Sequence, residues 1–250
     1  MQCTSFSSIR VSDNPLLLSH DIMDMNLFFF GVYPYIAGTV FLLGSLLRFD
    51  REQYLWRSES SQLLRTGTLR WGSNLFHVGI IGLFFGHLFG LLTPLAVFEA
   101  LGLTPHDKQI VAMATGGTLG LLILIGLVLL IARRLGEPRL RATTRPMDWV
   151  TLFWILATLL LGLSTIAVSA QHTNGREMLL LMSWAKSIVT FQGGAAAGYI
   201  ATASPIFKVH IVFGLTLFLL FPFTRLVHVW SGIGTVAYLA RPWQLVRTRR

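Results

Sequence analysis

"SNLFHVGIIGLFFGH", residues 73–87, holds two histidines and not one Asp, Glu, Lys or Arg. Continued through the apolar residues after it, the stretch is long enough to cross a bilayer as a helix, which takes about 20 residues at 1.5 Å each. An imidazole in hydrocarbon is costly unless something binds it. His77 and His87 therefore pose two questions at once: how many such spans the chain has, and what holds the histidines.

Four further stretches have the same character, so the expected spans are about 27–47, 73–93, 110–132, 149–170 and 206–230. The first four contain no acidic or basic residue, while the fifth carries Lys208 near one end and Arg225 near the other. Composition agrees: 53% of residues are hydrophobic and 12% charged, against about a quarter charged in a soluble domain. Backbone polar groups cannot go unpaired in lipid, so the spans are helices, and the alternation of a membrane barrel is absent. The expected fold is all-α, a five-helix transmembrane bundle.

A net charge of +9 would suggest nucleic acid in a soluble protein, but here its distribution reads as topology. Segment 48–72 holds Arg48, Arg51, Arg57, Arg65 and Arg70. Segment 133–148 holds Arg133, Arg134, Arg139, Arg141 and Arg145, and the tail holds Arg241, Arg247, Arg249 and Arg250. The opposite loops offer only Lys108 (94–109) and Arg176 with Lys186 (171–205). By the positive-inside rule the arginine-rich segments are cytoplasmic, the N-terminus is outside and the C-terminus inside. Lipid surrounds the bundle, and no nucleic-acid partner is expected.

Within loop 171–205, Asn174 followed by Glu177 resembles a capping box. Leu180, Leu181, Trp184, Ile188 and Phe191 then recur at helical spacing, which predicts an amphipathic helix at the outer interface. "GGAAAG" (193–198) reads as a flexible hinge after it. Residues 1–24 are polar and lack a signal-peptide core. They read as an N-terminal extension, disordered or a mis-called start, ahead of a membrane domain at 25–230 and a docking tail at 231–250. The one cysteine, Cys3, excludes an intramolecular disulfide, covalent C-x-x-C-H haem attachment and a cysteine-ligated iron–sulfur cluster.

Four of the seven histidines lie inside spans: His77 and His87 in the second, His210 and His228 in the fifth. These helices are antiparallel, so His77 falls level with His228 at the inner side and His87 with His210 at the outer side. Ten residues of helix rise about 15 Å, eighteen about 27 Å. Read as one continuous helix, His210 and His228 share a face, with Pro222 placed to bend it. A neutral imidazole from each of two helices suits the two axial positions of a haem iron; the alternative is a histidine relay or interhelical hydrogen bonds. Gly79, Gly82, Gly86 and Gly90 form a strip of small residues that admits either another helix or a flat ring. Arg225, one turn from His228, is placed for an inner-haem propionate or for snorkelling to the interface.

The segments "SNLFHVGIIGLFFGHLFGLLTP" (73–94), "RATT" (141–144), "SAQH" (169–172), "WAKSIVTF" (184–191), "KVHIVFGLTLFLLFPFTRLVHVW" (208–230) and "YLARPWQLVRTRR" (238–250) together resemble the gamma subunit of respiratory nitrate reductase, from about residue 25 to the C-terminus. The resemblance implies a diheme cytochrome b of the bacterial cytoplasmic membrane, with His77 and His228 on the inner haem iron and His87 and His210 on the outer. It implies quinol oxidation near the outer haem, with nitrate reduced on a partner rather than on any catalytic residue of this chain. The implied partners are a cytoplasmic iron–sulfur (beta) subunit and a molybdenum catalytic (alpha) subunit. Lys108 matches the family's quinol-site lysine, although the loop before it differs in length, and Gly86 and Gly90 join it as candidate quinol-site residues. A positive Arg225 beside the inner haem would favour its reduced form. Two other functions fit the same histidines: a diheme subunit of another redox complex, such as one of sulfur metabolism, or a non-redox transporter with a histidine relay.

Overall fold

A computed structural model describes residues 25–52 and 66–230. The N-terminal extension 1–24, the tail 231–250 and the arginines at 57 and 65 lie outside the described residues. Five helices among the described residues are long and apolar enough to cross a membrane, at Met25–Arg51, Gly67–Leu92, Pro105–Gly136, Pro146–Gln171 and Pro205–Phe223. No strand occurs among those residues.

The elements run in order: α1 (Tyr33–Glu52, entered through a π-helical turn Phe28–Val32), α2 (Thr66–Leu92), α3 (Leu95–Ala100), α4 (Pro105–Gly136), α5 (Pro138–Thr143), α6 (Pro146–Gln171), α7 (Arg176–Val189), α8 (Gly193–Ala201) and α9 (Pro205–Leu220). Four helices start with proline at the first turn, where its missing N–H costs nothing and its φ is already helical. Thr104 and Asp107 add a reciprocal capping box to α4: the threonine hydroxyl accepts from the Asp107 N–H, and the carboxylate accepts from the Thr104 N–H.

In the bundle α2 packs on α4, α4 on α6, α6 on α9 and α9 on α1, whereas α2 and α9 do not pack closely on one another. The two histidine-bearing helices thus face each other across a gap. The α2–α4 contact is the most extensive and depends on glycines. A Cβ on Gly79 would lie 2.6 Å from Ile123 Cγ1, and one on Gly126 2.8 Å from the Gly72 carbonyl oxygen. Gly126→Ala is therefore expected to destabilise the protein by about 1–3 kcal/mol, the usual range for overpacking. A thermal melt in detergent should show this as a lowered Tm; an unchanged Tm would mean that the two backbones do not cross this closely. Leu42, Leu46, Val78, Phe89, Leu121 and Phe153 point outward, as lipid-facing side chains do.

Three expectations are corrected. The fifth span is not one continuous helix to residue 230. α9 ends at Leu220, two 3-10 turns, Phe221–Phe223 and Arg225–Val227, follow on either side of an extended Thr224, and helix resumes at 228–230. Pro222 lacks the N–H to continue the ladder and clashes with the preceding turn, so helical phase does not relate His210 to His228. The Asn174–Glu177 capping box does not form. α7 starts after Gly175 in the left-handed region (φ 77°); Asn174 Oδ1 accepts from the Arg176 N–H at 3.1 Å, but Glu177 accepts from the Ser204 hydroxyl at 2.8 Å rather than from the helix start. "GGAAAG" is no hinge: it forms α8, with Ala196, Ala197 and Ile200 buried. Its first glycine serves close approach, since a Cβ on Gly31 of the π turn would lie 2.7 Å from the Gly193 carbonyl oxygen.

The expected amphipathic helix is present as α7, with Met182, Trp184, Ala185 and Ser187 packed against the bundle. Trp184 is buried and donates its indole N–H to the Phe30 carbonyl at 3.0 Å. Phe191, by contrast, is exposed.

Candidate functional site: two imidazole pairs and a cleft

His77 and His228 meet near the end of the bundle that carries the arginines, with ring centroids 6.1 Å apart and planes at 73°. His87 and His210 meet toward the opposite, loop end, 6.3 Å apart at 45°. Two imidazoles flanking one metal ion, with metal–nitrogen bonds of about 2 Å, place their centroids about 6 Å apart. Both pairs have that spacing.

The hydrogen bonds fix which nitrogen is available for a metal. His77 Nδ1 donates to the Ser73 carbonyl (2.7 Å), His87 Nδ1 to Leu83 (2.9 Å), His210 Nδ1 to Thr158 on α6 (3.1 Å) and His228 Nδ1 to Arg225 (2.6 Å). A carbonyl can only accept, so each Nδ1 carries the proton and Nε2 carries the lone pair. Among the described residues no three His, Cys, Asp or Glu side chains gather as a bare-ion site. A metal held by two imidazoles must bring its remaining ligands with it, as a haem iron does.

A largely apolar cleft of about 290 Å³ adjoins the His87/His210 pair. The glycine strip divides there. Gly79 and Gly82 press on α4, whereas Gly86 and Gly90 have nothing within 4 Å of a would-be Cβ and line the cleft. On α6, Gly162 makes room for the His210 ring, since a Cβ would lie 2.9 Å from His210 Cε1. α7 roofs the cleft through Met178, Leu181 and Trp184. Glu177 is the one carboxylate among the lining residues. Gln109, 2% exposed, fastens the loop end: its amide donates to the Ser169 and His172 carbonyls (3.0 Å each) and accepts from the Gly175 N–H (2.8 Å).

Lys108 is buried at the margin of this cleft. Its Nζ donates to the carbonyl of cleft-lining Gly90 (2.7 Å) and to Met182 Sδ (2.7 Å), and lies 4.1 Å from the centre of the Phe98 ring. Gly86, His87 and Gly90 line the cleft, whereas Lys108 does not line it and reaches it only through the Gly90 carbonyl.

At the arginine end, Arg225 engages the buried carboxylate of Asp148, with Nε to Oδ1 at 2.6 Å and Nη2 to Oδ2 at 2.7 Å. Arg134 Nη1 lies 3.8 Å from the same carboxylate. The guanidinium placed by the sequence near a propionate is thus paired with a carboxylate of the chain, which offsets much of its charge. Sequence reasoning missed Asp148, Gln109 and Gly162, read Arg48 only as a topology signal, and took Glu177 for a cap. Asp148 did leave one signal, an acid two residues after the proline that opens a span.

Five spanning helices enclosing two facing imidazole pairs define a multi-pass, all-α membrane protein. Comparison with known proteins narrows this class. The family model described as nitrate reductase gamma subunit matches residues 26–249. The chain is 53% identical to the respiratory nitrate reductase 1 gamma chain of Escherichia coli K12 over 225 residues, covering 90% of this chain and 98% of that one. It is 51% identical to the respiratory nitrate reductase 2 gamma chain of the same organism over 230 residues (92% and 100%). With the nitrate reductase gamma chain of Bacillus subtilis it shares 36% over 220 residues (88% and 96%). The chain belongs to the nitrate reductase gamma subunit family, and is a membrane-anchored subunit of a respiratory oxidoreductase complex.

Proposed function

We propose that this chain oxidises quinol at the loop end of the bundle and delivers the electrons to partner subunits at the arginine end, which faces the cytoplasm. The partners are an iron–sulfur beta subunit and a molybdenum alpha subunit where nitrate is reduced. One haem b at each imidazole pair would supply one-electron carriers when bound, held by His87 with His210 and by His77 with His228. The observation that carries this reading is the double match of centroid spacing and Nδ1 hydrogen bonding at both pairs.

The chain's own groups do the rest. The Nδ1–H bonds hold each ring in orientation and raise the basicity of Nε2. The cleft excludes water around the quinol ring, while Gly86 and Gly90 leave it room. Lys108, with three N–H donors, directs one toward a quinol oxygen and stabilises negative charge there as the proton leaves. Glu177, in the cleft wall under the loop-end surface, is placed to pass protons outward.

A reduced-minus-oxidised optical spectrum of the purified chain, with haem counted per polypeptide, tests this directly. Two b haems per chain are expected. A folded membrane preparation without haem would return the four histidines to a relay or structural role.

A further inference from the structure

We propose that Asp148 is a positioning residue for the arginine-end ligand His228, acting through Arg225. This rests on the reading that His77 and His228 hold a haem.

Three of the four histidines are oriented by a helix backbone. His77 and His87 bond the carbonyl four residues back on α2, and His210 bonds Thr158 within α6. His228 lies beyond the end of α9, after an extended Thr224 and a single 3-10 turn. His228 opens a new helical turn at 228–230, so no full α-helical turn precedes it to set the ring's direction, and other groups must do so. Arg48 of α1 donates to the Pro222 and Thr224 carbonyls at 2.6 and 2.9 Å. The Thr224 hydroxyl accepts from the Leu226 N–H at 3.2 Å. Asp148 grips the Arg225 guanidinium through two oxygens, and the Arg225 carbonyl accepts from His228 Nδ1. A continuous path runs from carboxylate to guanidinium, along one residue's backbone, to the imidazole.

A bidentate carboxylate–guanidinium fork fixes orientation as well as distance. Asp148 sits in the first turn of α6, where the Arg145 N–H also binds it at 3.0 Å and the helix dipole favours its charge. It thus ties the ligand segment to a rigid spanning helix. Removing its charge leaves Arg225 and Arg134 facing each other without their shared anion. The nearby positive charge then favours the reduced form of a metal centre at this pair, and the ring loses its register. The His87/His210 pair has no such dependence.

The test uses the full chain assembled in native membranes. Wild type, Asp148→Asn, Asp148→Glu and Arg225→Lys are compared, with His228→Ala marking the signal of the arginine-end centre. Haem per chain, midpoint potential and the low-spin paramagnetic resonance signal of each centre are read. In Asp148→Asn, only the centre lost in His228→Ala should shift to higher potential or empty, and Asp148→Glu should restore part of its signature. Arg225→Lys keeps the charge but not the fork, so it should disturb the same centre even if Asp148→Asn does not accumulate. Both centres unchanged, or both altered equally, would overturn the assignment. Wild-type chain without two haems would overturn the haem reading itself, a result distinct from a two-haem protein indifferent to Asp148.

Discussion

A His87→Ala chain is expected to keep one b haem and to oxidise quinol at least about 100-fold more slowly than wild type. Losing only a hydrogen-bond partner of a metal ligand typically costs 10–100-fold, and here the ligand itself is removed beside the cleft. The substitution is mild for the helix: alanine has the highest helix propensity, and the imidazole's Nδ1 bonds only its own α2 backbone. The fold should therefore survive, with the His77/His228 pair about 15 Å away along α2 retaining its haem. His77→Ala should give the mirror result, losing the arginine-end signal and keeping the other. Haem counting with resonance spectra of both variants separates the cases. Retention of two haems in His87→Ala would remove this histidine from the ligand set, and loss of both in either variant would show that the pairs are not independent sites.

That the two pairs were legible in the sequence follows from membrane topology. A span must run from one side to the other, so residue number along it is depth, and two antiparallel spans put His77 level with His228 and His87 level with His210. Lipid made the helices readable for a similar reason, because it forbids every alternative for the backbone. What could not be read depends on proximity that topology does not set. Asp148 and Arg225 are 77 residues apart, and nothing in either local pattern names the other. Glu177 followed by local rules alone would cap its own helix, yet the Ser204 hydroxyl at the start of α9 binds it. "GGAAAG" illustrates the same limit from the other side. Glycine and alanine signal flexibility in a solvated loop, but against the π turn of α1 they permit a close backbone contact and become helix α8. His228 is the instructive mixture: its depth was legible, while the break in the helix before it was marked only by Pro222.

Lys108→Met is expected to slow quinol oxidation by about 10–100-fold while leaving both haems in place. The range corresponds to one hydrogen bond from a charged donor, about 1.5–3 kcal/mol. Burying an ammonium is costly, and the partners supplied by the protein, one carbonyl, one thioether and one aromatic face, are weak compensation for it. A packing role would be served more cheaply by an apolar side chain, so methionine should fill the site and leave the melting temperature unchanged or higher. The carbonyl partner belongs to Gly90, whose open side faces the cleft, so the amine is held at the edge of the space where a quinol ring fits. If Lys108 bonds bound quinol in the ground state, the loss falls on KM. If it stabilises charge only as the proton leaves, the loss falls on kcat. Lys108→Arg should not rescue, because a planar fork does not replace a compact ammonium between a carbonyl and a thioether. Electrons supplied by a small-molecule donor that bypasses the cleft should still reach the partner subunits in the Lys108→Met variant. Wild-type rates with quinol would leave Lys108 a structural anchor of α4, and loss of the loop-end haem together with activity would place its role in holding the bundle around His87 and His210 rather than in meeting the substrate.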